Sequence, residues 1–371
     1  MSHVVIIGCG VVGAAIAYEL SQIKGLHITV IDRQAPAQAS TGAALGVLVG
    51  IISQKIKGKA WLWRQTSIQR YETLIPELEA ITGRKIPFNR QGILSLCLEE
   101  EDNLEKWQKL LAIRHSQGWQ LEIWDNAQLK NICPQVDNEK IIGAVYSPQD
   151  RQLDPTALTL ALVEAAQHNG VTFKFGVTVL GQTPTGEEIT RCDSIETIEG
   201  RITADWFVVA AGLGSTPLTA QLNQKVDIRP VLGQALQFSL GHPLGNPDFQ
   251  PTITGNDVHI VPVGGGDYWI GATVEFPSDE DEIPPNQELL EFVRQQAIAF
   301  CPELAHAQII RTWSGLRPRP EARPAPVVEN LCGFSNVLLA TGHYRNGVLL
   351  APATAYAIRE MIISQGMGNR E

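Results

Sequence analysis

The sequence predicts an α/β fold in which a Rossmann-like domain is interleaved with an α+β domain built on an antiparallel sheet. Apolar runs typical of buried parallel strands occur at Val4–Ile7, Ala204–Gly212 and Val337–Ala340, at the start, middle and end of the chain. Between them, segments with strand character are joined by glycine-rich turns, which favours an antiparallel sheet. The length of 371 residues suits about two domains.

The N-terminal segment predicts a β-α-β unit. A strand from His3 to Gly8 leads into a helix from Gly10 to Ile23, and a second buried strand runs from His27 to Ile31. The crossover between the two strands is expected to be right-handed. The unit therefore starts the parallel sheet of the Rossmann-like domain.

The remaining elements alternate between the two domains. The predicted helices are Trp61–Thr82, Glu99–Ser116, Pro155–Asn169, Asn286–Phe300 and Leu350–Ser364. The other predicted strands are Gly92–Leu98, Val171–Val179, Gln234–Leu240, Val258–Val263 and Tyr268–Val274, with a hairpin turn at Gly264–Asp267. This order assigns residues 1–88, 150–225 and 320–371 to the Rossmann-like domain, and 89–149 and 226–319 to the antiparallel domain.

Charge and cysteine content exclude several classes of protein. Asp and Glu number 39 against 29 Lys and Arg, a net charge of −10, which argues against a nucleic-acid partner. No two of the six cysteines lie closer than 31 residues, so no metal-site spacing is present. Reduced thiols in a cytoplasmic protein are the simplest interpretation.

No segment is expected to cross a membrane. The longest apolar stretch, residues 42–52, has 11 residues, whereas a spanning helix needs about 20. We also expect no cleaved signal peptide, because no basic and apolar leader precedes the first strand.

A glycine motif follows the first strand and opens the first helix. Gly8, Gly10 and Gly13 fit the GxGxxG pattern, in which the glycines allow a tight turn, close approach to a pyrophosphate and close helix–strand packing. The helix N-terminus supplies a positive dipole for the phosphates. Asp32 lies 19 residues beyond Gly13, where its carboxylate can accept hydrogen bonds from ribose hydroxyls. The motif predicts dinucleotide binding but does not separate FAD from NAD.

Three further segments, residues 39–48, 313–318 and 341–354, resemble the FAD-dependent D-amino acid oxidase family. Within it, the resemblance is strongest to the bacterial glycine oxidases of thiamine biosynthesis. It extends from the first strand to the last helix and is most specific in the Gly-His-Tyr-Arg-Asn-Gly run at 342–347. It implies an oxidase for glycine or a related small or N-substituted amino acid, with O2 reduced to H2O2. No cysteine lies between Trp313 and Pro320, so the FAD is expected to be non-covalent.

The resemblance also implies which residues contact FAD. They come from the first β-α-β unit, the 39–48 segment, the middle of the chain and the C-terminal run. Besides Gly8, Gly10 and Gly13, the implied set is Val11, Val12, Asp32, Arg33, Ser40, Thr41, Leu45, Gly46, Val47, Val179, Gly212, His343, Tyr344, Arg345, Asn346, Gly347, Val348 and Leu349.

The substrate site is expected to contain three residues. Arg317 occupies the position of the family's carboxylate-binding arginine, where a planar fork can bind a carboxylate through two hydrogen bonds. Arg345 matches a second arginine near the substrate, with a scaffold role as the alternative. His259 stands where glycine oxidases have a tyrosine, and its charge is expected to vary near pH 6–7. The alternatives are a structural ion pair for Arg317 and an ordinary sheet histidine for His259.

The turn after Arg317 departs from the family pattern. Arg319, Glu321 and Arg323 crowd residues 318–326, where the family has Gly and Asp, and this makes a strict preference for glycine doubtful. The alternative interpretation is a solvated, proline-rich turn.

Three other functions remain open at this point. A D-amino acid dehydrogenase would pass electrons to a membrane quinone, and a sarcosine-type oxidase would remove an N-methyl group. A non-catalytic FAD-bearing module is the alternative from a different class. In each enzymatic case the partner is a small amino acid substrate, and we expect a homo-oligomer.

Overall fold

The computed structural model describes residues 2–98, 104–182, 191–277 and 283–367. Its strands are β1 (Ser2–Ile7), β2 (Leu26–Asp32), β3 (Val47–Leu48), β4 (Phe88–Asn89), β5 (Ile93–Leu98), β6 (Glu122–Asp125), β7 (Ile141–Ser147), β8 (Arg151–Leu153), β9 (Thr172–Phe175), β10 (Val179–Gln182), β11 (Ser194–Thr197), β12 (Gly200–Thr203), β13 (Trp206–Val209), β14 (Ile228–Ser239), β15 (Thr252–Gly255), β16 (Val258–Gly264), β17 (Asp267–Gly271), β18 (Gln308–Pro320), β19 (Val327–Asn330) and β20 (Val337–Thr341). Its α-helices are α1 (Val11–Ser21), α2 (Gly58–Thr82), α3 (Leu104–Ser116), α4 (Asn126–Ile132), α5 (Pro155–His168), α6 (Ser215–Ala220), α7 (Gln287–Phe300) and α8 (Gly347–Met367).

A six-stranded sheet has the order β19-β20-β13-β1-β2-β9. Its strands are parallel except for the β19–β20 pair. Helices α1, α5 and α8 pack together beside this sheet, and β1 is fully buried at Val4–Ile6, which explains its uninterrupted apolar run. The carboxyl ends of β1, β2, β13 and β20 meet at one edge, which is where open α/β sheets bind ligands.

An eight-stranded sheet has the order β18-β14-β17-β16-β15-β5-β7-β6. All neighbours are antiparallel except β5 and β15. One face packs on α7 around Leu236, Phe238, Ile260 and Ile270. The opposite face of β14, β16, β17 and β18 turns towards the edge of the parallel sheet. Two three-stranded sheets, β3-β8-β4 and β10-β11-β12, complete the fold.

These sheets confirm the predicted fold class. The parallel strands occur at the start, middle and end of the chain, and the hairpin expected at 264–267 joins β16 to β17. The proposed domain boundaries stay a prediction. Strands β5–β7 fall within 89–149, and β14–β18 fall within 226–319 except for the last residue of β18, Pro320.

Two predicted elements differ from the structure. The single strand expected over Val171–Val179 is two strands, β9 and β10, in different sheets, because the chain turns at Gly176 with φ of 77°. The helix expected from Glu99 begins at Leu104 among the described residues, and 99–103 lie outside them.

One helix in the described part of the chain, residues 347–365 of α8, is long and apolar enough to cross a membrane by length and composition. It was not singled out by the sequence analysis. More than half of it is buried, and Leu350, Ile358 and Ile362 belong to the core shared with α1 and α2. This packing is typical of a core helix.

Candidate functional site

A cavity of about 520 Å³ lies between the carboxyl edge of the parallel sheet and the face of the antiparallel sheet. Its volume is within the range of small-molecule sites. The cavity brings together most of the predicted residues: Gly8, Gly10, Val11, Val12, Asp32, Arg33, Ser40, Thr41, Leu45, Gly46, Val47, Gly212, His259, Arg317, His343, Tyr344, Arg345, Gly347, Val348 and Leu349. Gly13, Val179 and Asn346 do not line it.

The glycine motif is required by close packing. Gly8 has φ of 110°, and a Cβ there would overlap the carbonyl group of Ala210, the residue that follows β13. A Cβ at Gly13 would overlap the Gly8 carbonyl oxygen, so Gly13 acts through helix–strand packing and not through a cavity contact. Helix α1 has no side-chain cap and no acidic residue in its first turn, so its N-terminus is open to an anion.

Asp32 has two backbone partners. Its Oδ2 accepts the Cys9 N–H at 2.6 Å, and its Oδ1 accepts the Gln34 N–H at 2.9 Å. These bonds orient the carboxylate at the cavity wall. A carboxylate can accept about four hydrogen bonds, so the predicted ribose contact is compatible with both backbone bonds.

The 39–47 segment is tied to both sides of the cavity. Thr41 Oγ1 accepts the buried N–H of Val11 at 3.1 Å, and the Trp313 indole N–H donates to the Ala43 carbonyl at 3.1 Å. Ser40 Oγ donates to the Leu316 carbonyl at 2.6 Å. The Ser40 hydroxyl proton thus bonds to the antiparallel sheet, while Ser40 itself lines the cavity as expected.

The 342–347 run forms a loop that leads into α8. Tyr344 donates its N–H to the Pro318 carbonyl at 3.0 Å, which attaches the loop to β18. The buried ring of His343 lies 2.8 Å (Nε2 to Oγ1) from Thr354, and burial lowers its pKa to about 4. Asn346 faces away from the cavity, and its Oδ1 accepts from Arg64 Nη2 at 3.4 Å. The first residues of α8 line the cavity, so a second helix N-terminus opens onto it.

These features fit FAD. Asp32 is the one carboxylate among the described residues lining the cavity, whereas Arg33, Arg317 and Arg345 supply three guanidinium groups. The N-terminus of α1, where the N-cap Gly10 has no side chain and the Val11 N–H alone bonds to Thr41, suits the diphosphate. The N-terminus of α8 suits an electron-rich edge of the flavin ring.

A floor without side chains larger than a methyl group crosses the antiparallel sheet. It consists of Gly233 and Ala235 on β14, Gly271 on β17 and Gly315 on β18, all lining or bordering the cavity. A Cβ at Gly315 would overlap the Ala43 side chain. The sequence analysis missed this floor, although glycine inside a strand is a signal of close approach by another group.

Arg317 lies at one side of the floor. Its Nη1 donates to the Leu232 carbonyl at 3.0 Å. Burial and then the charge of Arg345 lower its pKa, but it stays cationic at neutral pH because an arginine pKa starts above 12. Within the described ranges it has no ion-pair partner, so the alternative of a structural ion pair is not what the structure has. Its other donors are left for a ligand.

His259 lies on the other side of the floor, aligned with Gly271 and Ala235 across β16, β17 and β14. Its Nδ1 is buried and has no hydrogen-bond partner among the described residues. Burial, followed by the charges of Arg345 and Arg317, lowers its pKa to about 4. This lowered pKa argues against the expected charge change near pH 6–7, because a ring with such a pKa is neutral in that range.

Arg345 forms an ion pair that the sequence analysis missed. Its Nη2 lies 3.0 Å from Oδ1 of Asp257, on the turn between β15 and β16. Burial opposes ionisation of Asp257, but the hydrogen bond and charge of Arg345 hold its pKa below the usual value. The side chains are 36% and 74% exposed, so the pair lies at the mouth of the cavity. Arg345 lines the cavity, which is compatible with a place near the substrate, and its ion pair joins two loops, which is compatible with a scaffold role.

The charged turn after Arg317 points away from the cavity. Arg319 pairs with Glu321 at 3.1 Å and Arg323 pairs with Glu329 at 2.7 Å, and none of these side chains lines the cavity. The structure thus favours the solvated turn over a change in specificity.

Comparison with known proteins places the chain among flavin enzymes. The family model described as FAD dependent oxidoreductase (DAO) matches residues 3–361. The bifunctional protein ThiO/ThiG of Nostoc sp. is 31% identical over 367 residues, covering 98% of this chain and 53% of that protein. Glycine oxidase of Bacillus subtilis is 29% identical over 363 residues, covering 97% and 93%. The crystal structure of glycine oxidase from Geobacillus kaustophilus has a TM-score of 0.87 at 24% identity, covering 98% and 95%.

The chain spans about half the length of the ThiO/ThiG relatives that it matches. In contrast, it spans nearly all of the glycine oxidase from Bacillus subtilis.

Proposed function

Because the chain belongs to the FAD dependent oxidoreductase family, we propose that it oxidises glycine or a closely related small or N-substituted amino acid. The relatives named glycine oxidase and ThiO/ThiG support this substrate class. The observation that carries the proposal is the placement of the unpaired Arg317 beside a floor of glycine and alanine, in the cavity that fits FAD.

The reaction balances as a two-electron oxidation. The substrate loses two electrons and two protons at its Cα–N bond to give an imine, which water hydrolyses to a 2-oxo acid and ammonia. Bound FAD would supply the two-electron acceptor for the substrate, and O2 with two protons would take up the same electrons as H2O2. The chain contributes position and electrostatics to this chemistry.

Arg317 binds the substrate carboxylate in this proposal. The guanidinium can donate two parallel hydrogen bonds, which fixes the direction of Cα as well as the position of the carboxylate. The floor beside Arg317 has no side chain larger than a methyl group. The support for a small amino acid comes from the relatives named glycine oxidase.

His259 does not act as the base. A ring with a pKa of about 4 cannot hold a proton taken from an ammonium group whose pKa is that of an ordinary amine. The amine must therefore lose its proton to solvent before oxidation. The neutral His259 ring has one N–H donor and one acceptor nitrogen. Because Nδ1 is buried, Nε2 is the nitrogen left for a contact with the bound substrate.

Non-covalent FAD is part of the proposal. No cysteine is present among the described residues that line the cavity. Acid precipitation of the purified yellow protein should leave the flavin in the supernatant. Flavin that stays with the pellet would contradict this.

The decisive experiment uses the purified FAD-bound protein. Mixing it with glycine without oxygen should bleach the visible absorbance of the flavin, and admitting air should restore the colour with release of H2O2. A panel of N-methylglycine, D-alanine and other small amino acids then ranks the substrates. Bleaching that is reversed by a quinone but not by O2 would indicate a dehydrogenase, and no bleaching with any amino acid would overturn the proposal.

Three further parts of the proposal concern the product, the location and the assembly of the protein. The ThiO/ThiG relatives support a role of the imine product in thiamine biosynthesis. A thiamine-requiring strain that lacks a glycine oxidase should grow without thiamine when it expresses the chain.

The six free thiols favour a reducing, cytoplasmic location. A homo-oligomer is expected, and light scattering tests it.

A further inference from the structure

The guanidinium of Arg317 occupies the space that a side chain at Gly233 would fill. A Cβ built at Gly233 would overlap Cζ, Nη1 and Nη2 of Arg317 alike, so the guanidinium lies across the backbone of β14 at this residue. The neighbouring carbonyl of Leu232 accepts the Nη1 donor at 3.0 Å. Among the described residues, Arg317 is thus hydrogen-bonded to backbone, and the absence of a side chain at Gly233 lets the guanidinium approach.

The backbone under the guanidinium is itself held in place. Leu232 and Glu275 exchange two backbone hydrogen bonds of 2.9 Å each. The buried carboxylate of Glu275 accepts from Gln234 Nε2 and from the Asn286 N–H, both at 2.9 Å, and from the Thr273 hydroxyl. Thr273 Oγ1 also accepts the Gln234 N–H at 2.8 Å. The residues on both sides of Gly233 are thus fixed by a buried network.

A fixed support matters because arginine has a long, flexible side chain. Supporting contacts must hold a binding group within about 0.5 Å of its productive position. One N–H of Arg317 donates to the Leu232 carbonyl. The planar guanidinium then presents its other donors in a fixed direction. A guanidinium lifted away from β14 would displace a bound carboxylate and, with it, the substrate Cα.

We infer that Gly233 is a positioning residue that determines the affinity of the site for carboxylates. The inference rests on the proposed function, in which Arg317 binds the substrate carboxylate. It deepens that function, because only substrates with a free carboxylate gain from this arrangement. Amines without a carboxylate should be insensitive to the residue at 233.

The test is Gly233→Ala in the full-length FAD-bound protein. The added methyl should displace the guanidinium, whose side chain can move without disturbing the strand. Acetate affinity, measured from the perturbed visible spectrum of the bound flavin, should fall roughly tenfold to hundredfold, the loss expected for a misplaced charge-assisted hydrogen bond. The KM for glycine should rise similarly, with a smaller effect on kcat.

The matched control is Gly181→Ala, on β10. This glycine also lies in a strand, and its added Cβ would meet no atom within 4 Å. It should leave acetate affinity, flavin content and the thermal midpoint unchanged. Flavin content should also stay unchanged in Gly233→Ala, since the methyl contacts Arg317 and not the 39–47 segment.

A double-mutant cycle with Arg317→Ala separates positioning from a structural effect. Once the guanidinium is gone, Gly233→Ala should have no further effect on acetate affinity. An equal effect with and without Arg317, or an unchanged acetate affinity in Gly233→Ala alone, would overturn the inference.

The measurement remains informative in two difficult cases. If no amino acid is oxidised, the acetate affinities still decide the role of Gly233 independently of the proposed function. If Gly233→Ala does not fold, Glu275→Gln tests the buried network that fixes the backbone under the guanidinium. This variant should weaken acetate binding only while Arg317 is present. A folded Glu275→Gln protein with unchanged acetate affinity would then overturn the inference.

Discussion

The two ends of the cavity are built differently. At the parallel-sheet end, the groups that face the cavity are backbone N–H groups of α1 and the Asp32 carboxylate, which the N–H groups of Cys9 and Gln34 hold in place. The glycines at this end lie within six residues of one another. At the antiparallel end, the groups are the side chains of Arg317 and His259, which stand on β18 and β16. Backbone groups suit a ligand group that many proteins bind, such as a diphosphate. Side chains on separate strands can be substituted one at a time, so they suit the substrate, which differs from one enzyme to the next.

This difference makes the two ends experimentally separable. Changes at the parallel-sheet end should alter FAD affinity and leave substrate KM in the FAD-bound fraction unchanged. Changes at the antiparallel end should do the reverse. The 39–47 segment joins both ends, since it bonds to Val11 on one side and to β18 on the other.

The largest effect is expected for Arg317→Ala. Loss of the carboxylate partner should reduce kcat/KM for the best amino acid roughly 30- to 4000-fold, because breaking a buried charge pair costs ~2–5 kcal/mol and ~1.4 kcal/mol is tenfold. FAD content should not change. Steady-state kinetics and flavin absorbance measure the two quantities.

Arg311→Ala is the control for this prediction. Arg311 lies on the same strand, donates from Nε to Gln237 Oε1 at 3.1 Å and does not line the cavity. It should keep kcat/KM within about twofold, as exposed substitutions normally do. An unchanged kcat/KM in Arg317→Ala would remove Arg317 from the substrate site.

The buried His343 should make the fold sensitive to acid. Its pKa is about 4 in the folded state against 6.5 unfolded, so the unfolded chain binds the proton first as the pH falls. The contribution of the neutral ring to the free energy of unfolding is fully present above pH 6.5. It is lost between pH 6.5 and pH 4, by roughly 3 kcal/mol at ~1.4 kcal/mol per pKa unit. Urea unfolding at pH 7 and pH 4.5 should show a smaller loss in His343→Gln than in the unmodified chain. Equal losses would show that another group controls the acid response.

Asp32→Asn should weaken FAD binding by roughly tenfold to hundredfold, since hydrogen bonds to a charged group contribute ~1.5–3 kcal/mol. The carboxylate both orients the β1–α1 turn through Cys9 and faces the cavity. The KM for glycine of the FAD-bound fraction should stay the same, and titration of the apoprotein with FAD gives the affinity.

Asp205→Asn is the matched control. The Asp205 carboxylate also accepts a backbone N–H, from His3 at 2.8 Å, but it precedes β13 at the opposite edge of the same sheet. The FAD affinity of the Asp205→Asn variant should equal that of the unmodified chain. A similar loss in both variants would mean that Asp32 acts through stability and not through the cofactor.

The sequence predicts the parallel-sheet end well because its determinants are local. Gly8, Gly13 and Asp32 are close in the chain and form a recognisable spacing, although the backbone group that crowds Gly8 belongs to the distant Ala210. The importance of Gly233 could not be predicted, because it depends on how Arg317, which lies 84 residues later on β18, packs against the backbone of β14. Asp257 was missed for the same reason, because its partner Arg345 is 88 residues away. The pKa of His259 also depends on burial and on two arginines that only the tertiary structure brings near.

The smallest effect is expected at His259, and it concerns pH. With a pKa of about 4, the ring is neutral from pH 6 to 8, so it should add no inflection to the KM profile in that range. His259→Phe removes one neutral hydrogen bond, which is worth ~0.5–1.5 kcal/mol, and should raise KM roughly two- to tenfold.

The shape of the pH profile decides between the two interpretations of His259. Because solvent must deprotonate the substrate amine, kcat/KM should increase with pH in the unmodified chain and in His259→Phe, and the two curves should run parallel. A KM that worsens between pH 6 and 7 in the unmodified chain, and not in His259→Phe, would mean that substrate binding restores an ordinary histidine pKa. Parallel curves with equal KM would instead place the histidine outside the substrate contacts. Its buried, unpartnered Nδ1 would then belong to the sheet alone.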